Sequence, residues 1–309
     1  MFVKLCKRLV LNAGMRKAII SFEYLRDSRR YTGFSSLVES SSDRLSGARL
    51  ESQLTRDYHR VEKGLALPAP KRPFGESSFL DRMNSLIPVA QTSDRQEPYI
   101  AAAVTARDAL VLWNATGVID EEVAPVPPPY APDSGEMEAF FTSRRSVRHF
   151  KSTAVDLASV YEAVRLASYS PSVCNRQPWK VRIFEGDDVA RLLRHQSGNR
   201  GFGDNVPLLA LISVELGYFV GRRERNQAWI DGGIFSSSFV WALHSLGLSS
   251  CMLNLSITNK VADRLREDAN MPASEVPIMM VAIGHGADGH RVARSVRRGT
   301  DQIILRRTD

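Results

Sequence analysis

Residues 143–150 read SRRSVRHF and place Arg144, Arg145 and Arg148 around Ser146. Guanidinium forks grip phosphate in a bidentate way and a serine hydroxyl adds a donor, so this set has the chemistry of an anion site. Taken as a helix, the stretch puts Arg144 and Arg148 on one face, four residues apart. A solvated basic helix end is the plain alternative. Further on, SPSVCNRQPW at 170–179 crowds Pro171, Ser172, Asn175 and Gln177 into one turn. Pro171 and Pro178 fix their own dihedrals and push Ser170 and Gln177 out of the helical region, which makes the segment rigid. The amides of Asn175 and Gln177 offer acceptor and donor atoms that match a flat heterocyclic ring edge alternating carbonyls and NH groups. The same residues also suit a helix-to-strand turn that caps backbone groups. A third group, Arg294, Arg297 and Arg298, follows the last apolar run, where it can close on a phosphate that the first group begins to bind. A basic C-terminal surface would look the same.

Other chemistries find less support. His59, His149, His195, His244, His285 and His290 show no HExxH or paired spacing, and no GxSxG elbow surrounds a serine. No metal site is expected. Cys6, Cys174 and Cys251 are odd in number and lack CxxC spacing, which argues against a disulfide framework or a structural zinc and for a reducing compartment. GHGADG at 284–289 has GxGxxG spacing, but no helix pattern follows it, so it reads as a turn.

The elements that must hold these groups fall into two parts of a 309-residue chain. Its formal charge of +7 comes in compact clusters, which suits a small anion better than a duplex. The boundary is APVPPPYAPDSG, whose five prolines forbid a helix or central strand. Residues 1–123 then form a mainly helical N-terminal region, 124–137 a Pro-rich linker and 138–309 a mixed α and β unit. In the first part SFLDRMNSLIPVA and IAAAVTARDALVLWNATG have helical spacing, while the serine-rich SSLVESSSDRLSGARLESQL reads as loosely ordered. The start, MFVKLCKRLVLNAGMRKAII, is a basic amphipathic stretch rather than a signal peptide, and a cytoplasmic protein without a transmembrane segment is expected. After the linker, WKVRIF, PLLALISVEL, LSSCMLNL and VPIMMVAIGH read as strands, separated by helices. The longest helix, from about Asn226 to Leu246, is apolar nearly all round and needs cover on most faces. The tail QIILRR is an apolar extended piece, either an edge strand or a strand exchanged with a partner subunit.

In this order and spacing, RRSVRHF, SPSVCNRQPW, GNRGFGD, HSLGLSSCMLN and VPIMMVAIGH with its basic loop resemble the FMN-dependent nitroreductase family. The resemblance runs through residues 140–309. It implies an α+β fold, nitroreductase-like, with a mixed central sheet flanked by helices, and a homodimer holding one FMN in each of two interface clefts. It implies that Arg144, Arg145, Ser146 and Arg148 bind the phosphate, ribityl chain and pyrimidine edge, and that Pro171, Ser172, Asn175 and Gln177 come from the partner. Asn199 or Arg200 then stands at the ring edge, Leu253 in the backbone stretch near the flavin N5, and Arg297 on the phosphate. NAD(P)H is the implied electron donor, and a small electron-poor molecule such as a quinone or nitro compound the acceptor. YHRVEKGLALPAPKRPFG at 58–75 is similar to the signature of a subgroup with an added helical region, linked to polysaccharide biosynthesis. A flavin-fold scaffold with little reductase activity is the alternative. Nucleic-acid binding rests on charge alone.

Overall fold

The computed structural model describes residues 13–36, 45–92 and 97–306. The apolar runs form a four-stranded sheet in the order β1-β2-β4-β3, with β1 at Trp179–Glu185, β2 at Leu208–Glu215, β3 at Ser249–Asn254 and β4 at Glu275–Gly284. All three pairings are antiparallel, which corrects the expected mixed sheet. Among the described residues, parallel pairing occurs in isolated bridges, Ser146 with Ser250 beside β3 and Ser36 with Val220.

Alternation along β2 sends Leu208, Ala210, Ile212 and Val214 to one face and Leu209 and Leu211 to the other. The first face is covered by α6 (Leu157–Ala167) and α8 (Gln227–Ser245). The second packs on α7 (Asp187–Leu193) and α9 (Asn259–Asp268). Close seating of α8 needs a glycine: a Cβ on Gly232 would lie 2.7 Å from Ile278 and 2.9 Å from Val214. Phe235 stacks on Trp179 with ring centres 4.7 Å apart, fixing the helix over β1.

The N-terminal part is helical, as its spacing predicts, with α1 (Ala13–Phe34), α2 (Gly47–Leu65), α3 (Asp81–Gln91) and α4 (Pro98–Thr116). The serine-rich stretch is not loose where it is described. From Gly47 it is α2, which buries Leu50, Leu54, Tyr58, Val61 and Leu65 against α3 and α4. Residues 37–44, the rest of that expectation, lie outside the described residues, as does most of the basic amphipathic start.

These helices are joined to the sheet unit by specific bonds. Arg26 and Arg30 of α1 both pair with Asp263 of α9, at 2.5 and 2.7 Å. Ser52 of α2 donates to the Tyr218 carbonyl at 2.7 Å. The proline stretch carries no regular element until Asp133, which caps α5 (Ser134–Ser143) by accepting from the Glu136 N–H at 2.8 Å. The helix therefore starts inside the expected linker.

Candidate functional site

The arginine motif is extended, not helical. Arg144 ends α5 with φ −61° and ψ 125°, and the chain then lies along the free edge of β3, where the Val147 N–H donates to the Ser250 carbonyl at 3.0 Å. Farther on, Phe150 bridges Gly286 and the Lys151 N–H donates to the His285 carbonyl at 2.8 Å. These backbone pairings outweigh local propensity.

Arg144, Ser146 and Arg148 nonetheless converge. Burial pushes the Cys251 thiol up, and the opposing influences come from Arg148, a hydrogen bond with Ser146, and Arg144, so all three act on one sulfur. Arg297 joins them. Burial holds the half-buried Arg144 guanidinium below its usual range, and the like charges of Arg297 and Arg145 push the same way. Two arginine groups about 150 residues apart in sequence thus meet in space, as expected from the chemistry of a phosphate site. Among the described residues no carboxylate pairs with Arg144, Arg145, Arg148 or Arg297. Gathered like charge without an internal counter-ion fits an anionic group. Arg144 also lies 5.3 Å over the Trp241 ring of α8, and His244 one turn on meets the Ser143 hydroxyl at 2.8 Å. Burial and then Arg144 hold the His244 imidazole below the usual histidine value.

The Pro-Ser turn is built in the opposite manner. Cys174, Asn175 and Gln177 all have left-handed backbones, with φ of 51°, 52° and 49°. Its polar groups mostly hold one another. The Ser172 hydroxyl accepts from the Gln177 N–H at 3.0 Å, and the Gln177 side-chain amide reaches Asn175 Oδ1 at 3.3 Å. Beneath them Arg176 has a fully buried side chain that donates to the Tyr218 carbonyl at 2.5 Å and meets Glu224 at 2.9 Å. Asp231 of α8, also buried, accepts from the Val173 N–H at 3.2 Å. Burial raises its carboxyl above the ordinary aspartate value, against the pull of Gln227 and the Val173 N–H. Pro171 and Gln177 are exposed, while Ser172 and Asn175 are half-buried.

Arg176, Glu224, Asp231 and Trp241 carry no signal in the motif reading. An arginine amid polar turn residues reads as solvated, and only the flanking prolines hint that something beneath must hold the turn.

Two further residues depart from expectation or qualify it. The Asn199 side-chain amide donates to the Leu193 carbonyl at 2.8 Å and the Gln196 carbonyl at 2.6 Å, which spends both its N–H groups on the end of α7. Asn199 is a loop staple without a free donor for a ring edge. Leu253 turns its side chain into the core under the sheet, 3% exposed, so only its backbone can meet a ligand.

The arginine group and the Pro-Ser turn are anchored at different points along α8. The turn is tied to Asp231 near the start of α8 and Arg144 to Trp241 near its end, ten residues apart, or about 15 Å at 1.5 Å per residue. Between and around them α8 exposes Trp229, Ile230 and Ile234, at 51%, 50% and 36%. The cover that its sequence calls for is incomplete on this face. The C-terminal tail is likewise unpaired among the described residues, with Ile303, Ile304 and Leu305 exposed by 65%, 56% and 92%.

Comparison with known proteins bears on this arrangement. The model of the nitroreductase family matches residues 141–199 and 188–285. A protein of Streptomyces coelicolor provisionally named NADH dehydrogenase/NAD(P)H nitroreductase is 29% identical over 135 residues, 36% of this chain and 66% of that one. The 4-nitrobenzoate reductase of Pseudomonas putida is 22% identical over 161 residues, 38% of this chain and 71% of that one. A solved FMN-dependent nitroreductase of Clostridium difficile superposes with a TM-score of 0.47 at 20% identity, covering 56% of this chain and 100% of that one. The matched segment, residues 141–285, contains both the arginine-motif residues 144–148 and the Pro-Ser residues, and it is this part of the chain that is similar to the nitroreductase family.

Proposed function

We propose that the protein is a flavin oxidoreductase that binds FMN as a homodimer, takes electrons from NAD(P)H and passes them to a small electron-poor acceptor of the quinone or nitro class. The observation that carries the reading is that Arg144, Arg145 and Arg297 lie within electrostatic reach of one another, with no carboxylate paired to them among the described residues. Such a group would hold the FMN phosphate, with Ser146 and Arg148 beside it. FMN, when bound, supplies hydride acceptance and electron transfer to a second substrate.

The work of the chain is then positional and electrostatic. Arg144, wedged over Trp241 and desolvated, offers a guanidinium whose orientation is set before an anion arrives. Asn175 and Gln177 of one subunit would meet the ring edge bound by its partner. The reading is supported by their place on a rigid turn anchored at Asp231, about 15 Å along α8 from the Trp241 that Arg144 covers. Exposed Trp229, Ile230 and Ile234 would form part of the subunit contact, and the apolar tail would cross to the partner. No described helix is long and apolar enough to cross a membrane. A cytoplasmic setting in polysaccharide biosynthesis belongs to the same proposal and is carried by the 58–75 resemblance.

A visible absorption spectrum of the purified protein, before and after NADPH under nitrogen, tests the reading. Flavin absorbance that bleaches with NADPH and returns with menadione is the expected result. A colourless protein that takes up no added FMN overturns it.

A further inference from the structure

The first helix keeps its polar side for the fold and leaves its apolar side uncovered. The Asn259 N–H of α9 donates to Glu23 Oε2 at 2.8 Å, and the Asn259 side-chain amide donates to Asp27 Oδ1 at 2.9 Å. The Arg30 guanidinium donates to the Ala273 carbonyl at 2.8 Å, and Phe34, on the same side of α1, packs on the core. Ala18, Ile19, Phe22 and Leu25 recur at i, i+1, i+4 and i+7, which gathers them on one stripe roughly a third of a turn round the helix from that anchoring side. Ile19, Phe22 and Leu25 are exposed by 48%, 56% and 47%. The described side chains at 14–22 are all exposed. An apolar stripe of this kind ordinarily faces the interior of a protein.

The charges of α1 sort in the same way. Its two carboxylates, Glu23 and Asp27, are turned to Asn259, while Lys17 and Arg29 are exposed. Residues 1–22 contain Lys4, Lys7, Arg8, Arg16 and Lys17 and no acidic residue. The apolar stripe therefore starts inside a run of sequence whose charge is wholly positive.

We propose that α1 seats its 18–25 face on an anionic phospholipid surface and holds the protein against a membrane without crossing it. Apolar side chains on one face of a helix enter the boundary between headgroups and acyl chains, and cations beside them meet the anionic headgroups. The rings of Phe22 and Tyr24 suit that boundary. No described helix is long and apolar enough to cross a membrane, so the contact is peripheral. A second copy of this chain suits the face less well, because a symmetric contact would bring two basic α1 segments together.

Flotation of the full chain, supplied with FMN, tests this on vesicles of phosphatidylcholine alone or of equal parts phosphatidylcholine and phosphatidylglycerol. The protein is expected to float with the anionic vesicles, to bind the neutral ones at least about tenfold more weakly, and to be released by salt. The double variant I19E/F22E should lose at least about tenfold in partition to the anionic vesicles. Because both positions are exposed, an unchanged thermal midpoint shows that this variant folds. Phe22→Trp should keep binding, and its added indole emission should move to shorter wavelength when anionic vesicles are present.

α1 lies outside residues 141–285, so vesicle binding and FMN uptake succeed or fail separately, and the flotation is read in the same way if the chain takes no FMN. Absence of flotation overturns the proposal, as does equal binding to neutral vesicles or a double variant that floats like wild type. An indole at position 22 whose emission does not move also overturns it. If the double variant turns a dimer into a monomer in sedimentation without vesicles, the face belongs to a second copy and the membrane proposal falls.

Discussion

The two ends of α8 hold the two halves of the candidate site by contrasting means. At the Trp241 end, Arg144, Arg145 and Arg297 crowd together with no carboxylate among the described residues to balance them, and burial weakens Arg144's hold on its charge. At the Asp231 end, Arg176 is balanced by Glu224, wired to two carbonyls and stacked 5.6 Å from the Phe219 ring. One end is electrostatically incomplete and the other is closed. The difference separates a place prepared to receive charge from a scaffold that presents shape.

The contrast breaks most readily at the closed end. Replacing Arg176 with Met removes a buried cation and leaves Glu224 and the Tyr218 carbonyl without it. Unfolding free energy should fall by about 3–5 kcal/mol, measured by denaturant titration. A loss below about 1 kcal/mol would mean that the Pro-Ser turn is held by something else. The next effect belongs to the subunit contact that would unite the ends. Leu305→Asp should raise the dimer dissociation constant about ten- to a hundredfold in sedimentation equilibrium, from the roughly 1.5–3 kcal/mol of burying one leucine. A monomeric wild type would remove the basis for joining the two ends.

The open end should answer differently. Arg144→Gln should weaken FMN binding about tenfold or more, with unfolding free energy unchanged or raised as like charges separate. In the same variant the His244 imidazole should titrate closer to its ordinary value, because one of the influences holding it down is gone. Proton NMR of the ring reads that shift, and an unmoved titration would place Arg144 elsewhere.

The smallest effect concerns pH. Asp231 has a raised carboxyl pKa in the folded state, so the folded protein keeps that proton longer than the unfolded chain does. The stability it contributes is therefore greatest at low pH and is lost as pH rises from the unfolded value near 3.9 through the folded one. Asp231→Asn should abolish that slope, with wild type losing ground to the variant from about pH 4 upward. Parallel stability curves for the two proteins would contradict this assignment.

Much of this architecture is legible in the sequence wherever burial is continuous. PLLALISVEL and VPIMMVAIGH become β2 and β4, the two inner strands, because nearly every side chain in them is covered. The α8 helix falls within a residue of its expected bounds for the same reason. Nothing in SRRSVRHF itself decides between helix and extended chain, because what makes it extended lies about 100 residues away, in the carbonyl of Ser250. Periodicity holds no trace of such a partner. Arg176 is hidden for a related cause: its burial depends on Glu224 and Tyr218, which the sequence places far from it. Asn199 shows the converse, a polar residue whose local duty at the end of α7 gives it a ligand-like appearance.

One carbonyl links the halves of the chain. The Tyr218 oxygen accepts both from Ser52 of α2 and from Arg176 beneath the Pro-Ser turn. A fragment beginning at residue 138 would lack the first of these donors, and with it the helix that backs the turn. The prolines at 125–132 thus mark a seam in composition but a poor place to cut. Expressed alone, the C-terminal half would expose the underside of its Pro-Ser turn to water.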